Sequence, residues 1–279
     1  FQSKRQLIWL SNHLKNNNET INVTFAENLN FNHDNYDAIL IHGYNTGNIK
    51  AFKNMYPSSK LILINPGLLT QYHEIKMISK NKIKSKLQKR LIYKNIDAIL
   101  VRSEPWANIV RKNINLPVYK WMDFEESVSS SPKNNILNTP PIIGYHGNPF
   151  HLINNFKING APALEDLYKT HKFDFHILSN NTKMIEREFN YDFPIKYFEY
   201  GEVDFDSIIS NFDIGVSPTM GNLSSLDETN IYIRNANRTI SLLTKGIPSV
   251  TSPLPQARLD LEENLHTVFA VSKKEWFDS

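Results

Sequence analysis

Residues 234 to 250 read RNANRTISLLTKGIPSV, and the fold follows from how this stretch is parsed. Ala236, Ile240 and Leu243 fall on one face at helical spacing, and Gly246 stands where a helix stops. Ile247-Pro248-Ser249-Val250 then opens a buried strand. A helix that feeds directly into a buried strand is half of a parallel α/β unit. Its N-terminus, placed by this reading at residue 234, faces the carboxyl edge of the sheet, where open α/β folds bind ligands. A helix start presents unpaired N–H groups and a partial positive charge. Arg234 and Arg238 add two full charges within a turn, a combination suited to phosphate or diphosphate. The plainer alternative is a pair of solvated arginines answering Asp227 or Glu228 nearby.

The rest of the chain repeats the pattern. Short runs rich in β-branched and aromatic residues occur at 21–25 (INVTF), 37–42 (DAILIH), 60–65 (KLILIN) and 97–102 (DAILVR), with helical stretches between them. A second series follows at 141–146 (PIIGYH), 173–179 (FDFHILS), 195–200 (IKYFEY), 212–218 (FDIGVSP), 247–252 (IPSVTS) and 266–272 (HTVFAVS). Such alternation predicts parallel sheets covered on both faces. The Ser-, Asn- and Pro-rich segment between the series lacks apolar periodicity and reads as a linker. The expected organisation is therefore an N-terminal Rossmann-like domain over 1–124, a linker over 125–140 and a second Rossmann-like domain over 141–279. The first eighteen residues carry Leu7, Ile8, Leu10 and Leu14 at helical spacing, so the first domain is expected to lack its opening strand. EWFDS at the other end falls where a further helix is expected to begin.

Composition sets the outer bounds. The 279 residues are 41% hydrophobic and 21% charged, enough for one large or two medium cores. With 31 basic and 28 acidic side chains the net charge of +3 does not mark a nucleic-acid binder. The absence of cysteine removes disulfides, thiolate metal sites and thiol nucleophiles. No apolar run reaches transmembrane length and no signal peptide is evident, which favours a cytoplasmic protein. One basic amphipathic stretch, 76–94, carries eight lysines and arginines and no acid. It reads as a solvated sheet-covering helix or as a peripheral contact with anionic lipid at the inner face of a membrane; nucleic acid is the least supported partner.

Longer segments resemble a known family. NANRTISLLTKGIPSVTSPLPQ (235–256), with Arg234 before it, is similar to the GT-B glycosyltransferase segment that runs Lys-x-x-Asn-Lys, apolar helix, Gly-x-Pro-Val-Val. Arg234, Asn237 and Arg238 match its polar positions, and Gly246, Pro248 and Val250 its end. DAILVRSEPWANIVRK (97–112) resembles the last strand and helix of the family's first domain, and PIIGYHGNP (141–149) the first strand and loop of its second. YFEYGEVDFDSIISNFDIGVSP (197–218) resembles the elements before the donor site.

The resemblance implies a GT-B-like fold, two Rossmann-like doubly wound domains facing across a cleft. It further implies a metal-independent glycosyltransferase that needs no cofactor. The partners would be a nucleotide-sugar donor and a glycan or lipid-linked glycan acceptor. Residue by residue, it assigns the donor diphosphate to Arg234, Asn237, Arg238, Gly147 and Asn148. The nucleotide base or ribose falls to Tyr200, Gly201, Glu202, Val203 and Glu228. His42 and His146, at the ends of expected strands, are the catalytic candidates; a histidine bonded to loop backbone is the alternative for each. The glutamate pair of the family's retaining members is missing, since its two positions align with Ile233 and Ser241. A phosphotransferase or epimerase of the same fold, or a two-lobed sugar-binding protein, remains an alternative. The Asp204-x-Asp206 pair does not read as a metal site, because Asp204 suits a helix N-cap.

Overall fold

The computed structural model describes residues 36–42, 46–64, 94–121, 137–219 and 228–279. The chain divides into two compact units, Phe1–Glu126 and Ser127–Ser279. The segment 21–25 and all but the last residue of 76–94 lie outside the described residues, as do residues 1–18 and most of the expected linker.

The described part of the first unit is a four-stranded parallel sheet in the order β1-β2-β3-β4. Its strands are Ala38–His42 (β1), Lys60–Ile64 (β2), Ala98–Val101 (β3) and Val118–Lys120 (β4). Helix α1 (Thr46–Met55) joins β1 to β2, and α2 (Glu104–Asn113) joins β3 to β4. Ser103 caps α2 by accepting from the Trp106 amide, and Pro105 sits in the first turn, where its missing N–H leaves no partner to find. Leu61, Leu63, Ile99, Trp106 and Ala107 are fully buried, and the apolar alternation of the sequence is what places them on the core faces.

The second unit holds a six-stranded parallel sheet in the order β10-β9-β8-β5-β6-β7. The strands are Ile142–His146 (β5), Asp174–Ser179 (β6), Ile195–Glu199 (β7), Ile214–Ser217 (β8), Ser249–Thr251 (β9) and Val268–Phe269 (β10). The chain lays β6 and β7 on one side of β5, then returns so that β8 pairs with the other side, Gly144 opposite Gly215. The reversal makes a crevice at the carboxyl ends of β5 and β8, the topological switch point at which doubly wound sheets take ligands.

Helix α3 between β5 and β6 is composite: Pro149–His151, a π-helical turn over Leu152–Phe156, then Lys157–Thr170. Helices α4 (Thr182–Glu188) and α5 (Phe205–Ser210) follow, then α6 (Glu228–Ile233) and α7 (Asn237–Leu243). The last are α8 (Ala257–Asp260) and α9 (Lys273–Asp278). On one side of the sheet an aromatic core stacks Phe156 with Phe175 and Phe189, and Trp276 of α9 meets Phe156 edge-on at 5.2 Å. On the other, α7 presses Leu242 so close to β8 that a Cβ at Gly215 would stand 2.3 Å from its Cδ1.

Three sequence expectations change. The decisive helix begins at Asn237 rather than 234, and Arg234–Ala236 form a short link from α6. The N-cap position is Ala236, which has no side chain able to cap the helix. The C-terminal residues are already helical: Ser272 and Glu275 form a reciprocal capping box and Trp276 buries the helix against α3. β4 is a three-residue strand at the end of its sheet, with Tyr119 57% exposed, too short for periodicity to reveal.

Candidate functional site

The loop leaving β5 forms the floor of the crevice. Gly147 has φ +144°, a conformation open to glycine, and its amide donates to the Leu178 carbonyl at 3.0 Å. The Ser179 hydroxyl donates to the Gly147 carbonyl at 2.8 Å, tying the loop to the end of β6. Asn148 caps the following turn by accepting from the Phe150 amide at 2.9 Å, with Pro149 in the first helical position. A Cβ at Gly147 would stand 2.6 Å from Nε of Arg238 and 2.9 Å from the Tyr145 hydroxyl. Glycine here lets the Arg238 side chain lie against the loop.

Arg234 and Arg238 bracket the link between α6 and α7 and both are half-buried. Arg234 donates through Nη1 to the Thr219 carbonyl at 3.2 Å, just beyond β8, and the same nitrogen lies against the His151 ring, 2.9 Å from Nδ1 and 3.5 Å from Nε2. Among the described residues neither guanidinium has a carboxylate partner. Burial, and then the charge of Arg238, lower the pKa of Arg234. Two like charges drawn together in a partly desolvated crevice favour an anion between them.

Neutral groups surround the pair. Tyr145 is fully buried and donates to the Asn148 carbonyl at 2.6 Å; burial pushes its phenol up to about 12, against the pull of Arg238 and Arg234, so it stays protonated. His146 is buried, and its Nε2–H donates to the Arg238 carbonyl at 3.2 Å, which pins the first turn of α7 to the end of β5. Burial and the charge of Arg238 hold His146 down at about 4. The same two causes, with Arg234 added, hold His151 down at about 2. Among the described residues the crevice thus keeps the arginine charges beside neutral Tyr145, His146 and His151.

The loop after β7 adjoins this site. Tyr200 and Val203 form an isolated bridge around Gly201, whose φ is +93° and beside which a Cβ would meet nothing within 4 Å. Tyr200 stacks on Phe205 at 6.0 Å, and Phe205 meets His146 edge-on at 5.6 Å. The loop is therefore linked through rings to His146, which in turn bonds to the Arg238 carbonyl. Glu202 is exposed at the turn. Asp204 caps α5, accepting from the Ser207 amide at 2.9 Å, and Asp206 pairs with the buried Lys245 at 2.8 Å.

Of the residues singled out in the sequence, the fold gathers His146, Gly147, Asn148, Arg234 and Arg238 in one place and links them to Tyr200–Val203. Asn237 opens α7 and is buried. Glu228 opens α6 and His42 ends β1. Sequence reasoning passed over Tyr145, His151, Asn155 and Thr219. Tyr145 reads as an ordinary strand aromatic, and His151 lies four residues past Gly147 with nothing local to mark it. Thr219 is buried, and its hydroxyl has no hydrogen-bond partner among the described residues; only pairing of β8 with β5 brings it to the crevice.

No family model and no curated protein matches the chain. Solved structures do. A mutant of TarM from S. aureus, in complex with fondaparinux, alpha-GlcNAc-glycerol and UDP, superposes with a TM-score of 0.56 at 16% identity, over 86% of this chain and 47% of TarM. Anabaena HepE in complex with UDP-glucose gives 0.54 at 9% identity, over 86% and 67%. The pneumococcal O-GlcNAc transferase GtfA, in complex with UDP and GlcNAc, gives 0.52 at 10% identity, over 82% and 46%. The chain spans under half the length of TarM and of GtfA. At this identity the likeness concerns the backbone, and in its parallel-sheet architecture the chain has the fold of the GT-B glycosyltransferases.

Proposed function

We propose that the chain is a glycosyltransferase that takes a sugar from a nucleotide-diphosphate donor and passes it to a hydroxyl of a glycan or lipid-linked glycan, without a metal ion. The observation that carries the reading is the pairing of Arg234 with Arg238, both lacking carboxylate partners among the described residues, at the switch point where Arg238 lies against the positive-φ Gly147. A diphosphate there gains charge-assisted hydrogen bonds from both guanidiniums, and close approach over the glycine. Tyr200–Val203 takes the base, with Gly201 leaving open space beside the turn.

In the transfer, the acceptor oxygen forms its bond to the anomeric carbon as the carbon–oxygen bond to the diphosphate breaks. The leaving diphosphate carries the developing charge, and Arg234 and Arg238 stabilise it more strongly than the bound donor. The acceptor's proton passes to a base, and His42, at a strand end of the first unit, is the candidate. His146 serves by holding α7 in place rather than by moving a proton, since its Nε2–H is spent on the Arg238 carbonyl. The UDP and sugar complexes of HepE and GtfA support a nucleotide-sugar donor. Among the described residues no helix is long and apolar enough to cross a membrane. Contact with an anionic membrane through 76–94 belongs to the same proposal.

Thermal unfolding with UDP, GDP, ADP, CDP and CMP, each with and without magnesium, tests the reading. A ligand at about 100 times its Kd adds about 2.7 kcal/mol, or about 5–10 °C in Tm for a domain of this size. A magnesium-independent rise with one nucleoside diphosphate is the expected result. A rise with free sugars and none with any nucleotide would identify a sugar-binding protein instead.

A further inference from the structure

Serine and threonine hydroxyls gather at the carboxyl ends of the second sheet, and one of them is left over. The Ser179 hydroxyl donates to the Gly147 carbonyl at 2.8 Å. That of Thr251 donates to the Ser217 carbonyl at 3.2 Å and meets the Thr239 hydroxyl at 2.8 Å. The Ser252 hydroxyl accepts from the Thr219 amide at 3.0 Å. Thr219 itself breaks the pattern: its Oγ1 is the only buried hydroxyl without a hydrogen-bond partner among the described residues, and the residue is 6% exposed. A buried polar group left unpaired is costly, and folds seldom leave one without a reason.

The backbone of Thr219 fixes where this hydroxyl stands. Its amide is held by Ser252, and its carbonyl accepts from Nη1 of Arg234 at 3.2 Å. A guanidinium without a carboxylate and a hydroxyl without an acceptor therefore stand side by side, and an anion supplies what both lack. A water or a sugar hydroxyl would answer the hydroxyl but not the charge. Threonine carries hydroxyl and methyl on one Cβ, so a χ1 step redirects the hydroxyl while both backbone bonds stay in place.

We infer that Thr219 is a ligand-binding residue of the anion site: its hydroxyl donates to a phosphate oxygen of the diphosphate that Arg234 holds. This rests on the donor-site reading above and adds to it a neutral donor at the end of β8. The free chain bears the cost of an unpaired hydroxyl, and the bound anion removes it, so stability is exchanged for affinity. Screening by water is weak at so buried a group, which strengthens the bond once it forms.

Two variants isolate the hydroxyl. Thr219→Val keeps the shape and removes the hydroxyl, whereas Thr219→Ser keeps the hydroxyl and removes the methyl. Calorimetric titration with UDP and with inorganic diphosphate is expected to show Thr219→Val weaker than wild type by about tenfold or more for both ligands, and Thr219→Ser within about threefold. Urea unfolding without ligand separates binding from structure. Valine leaves no orphaned group, so its midpoint is expected at or above that of wild type. A midpoint clearly below wild type means that the fold itself uses the hydroxyl, and it overturns the assignment. Equal affinities in wild type and Thr219→Val overturn it too, as do equal losses in both variants. A loss confined to UDP also overturns it, because the hydroxyl then lies against the nucleoside. In each of those cases diphosphate binding by the wild type leaves the donor site standing. A wild-type chain that binds neither UDP nor inorganic diphosphate overturns the donor site and the role of Thr219 together.

Discussion

Replacing Gly147 by alanine probes the backbone and the charge of the site in one step. The residue has φ +144°, where an L side chain costs about 1–3 kcal/mol. The added Cβ would also stand 2.6 Å from Nε and 3.1 Å from Cδ of Arg238, and 2.9 Å from the Tyr145 hydroxyl. Tyr145 cannot retreat: its ring is fully buried and its hydroxyl is bonded to the Asn148 carbonyl at 2.6 Å. Arg238 must move, and it moves away from the loop. Overpacking adds to the backbone cost, for a total of about 3 kcal/mol and a fall in Tm of about 6–12 °C. Affinity for a nucleoside diphosphate is expected to fall by about tenfold or more, beyond any loss of folded protein, because one guanidinium has left its place. Urea unfolding and calorimetric titration measure the two effects separately. Adding Arg238→Ala to Gly147→Ala removes the closest contact, so the pair should destabilise less than the sum of the singles by about 1 kcal/mol. An alanine variant with wild-type stability and affinity, or strict additivity in the double variant, would refute the argument that glycine is required for Arg238 to lie on this loop.

Arg234→Ala is expected to weaken nucleoside diphosphate binding by about 10- to 100-fold, read by titration; unchanged affinity removes the residue from the site. Stability should fall with acid in a defined window. His146, lowered to about 4, binds a proton more readily when unfolded, so its contribution is complete above about pH 6.5 and is lost as the pH falls toward 4. The loss is about 2 kcal/mol at about pH 5, and His151 acts in the same direction; a urea midpoint that stays flat from about pH 8 to about pH 5 contradicts it. Gly144→Ala would set a Cβ 2.0 Å from Cδ2 of the fully buried Phe212, and a loss of at least about 2 kcal/mol in urea unfolding is expected. Asp204→Ala removes the N-cap of α5 and should cost about 1 kcal/mol by the same assay; a stabilising effect of magnesium lost in this variant would reinstate a metal at Asp204 and Asp206.

Much of the fold was legible because strands of a doubly covered parallel sheet are short apolar runs, and such runs stand out in any context. The runs at 37–42, 60–65, 97–102, 141–146, 173–179, 195–200, 212–218, 247–252 and 266–272 each contain a strand. The site was legible where backbone chemistry is local. Gly147 and Gly201 both have positive φ, and Asp204 is an N-cap. It was illegible where the partners are distant in the chain. Nothing near residue 151 tells that its ring will meet Arg234, 83 residues on, and nothing near residue 146 tells that its ring will hold the Arg238 carbonyl.

Periodicity, turn chemistry and charge thus determined from sequence alone that this is a parallel α/β protein with a basic helix start near one sheet edge. Each of those features is fixed by interactions within a few residues. Only the tertiary structure decided that β8 pairs with the far side of β5, opening the crevice between them, and that the decisive helix starts at Asn237. It alone set the neutral Tyr145, His146 and His151 beside two arginines that have no carboxylate partner among the described residues, Asp227 lying outside them. Strand order and electrostatic environment are set by which surfaces pack together across the chain, and that choice is not written in any one stretch of it.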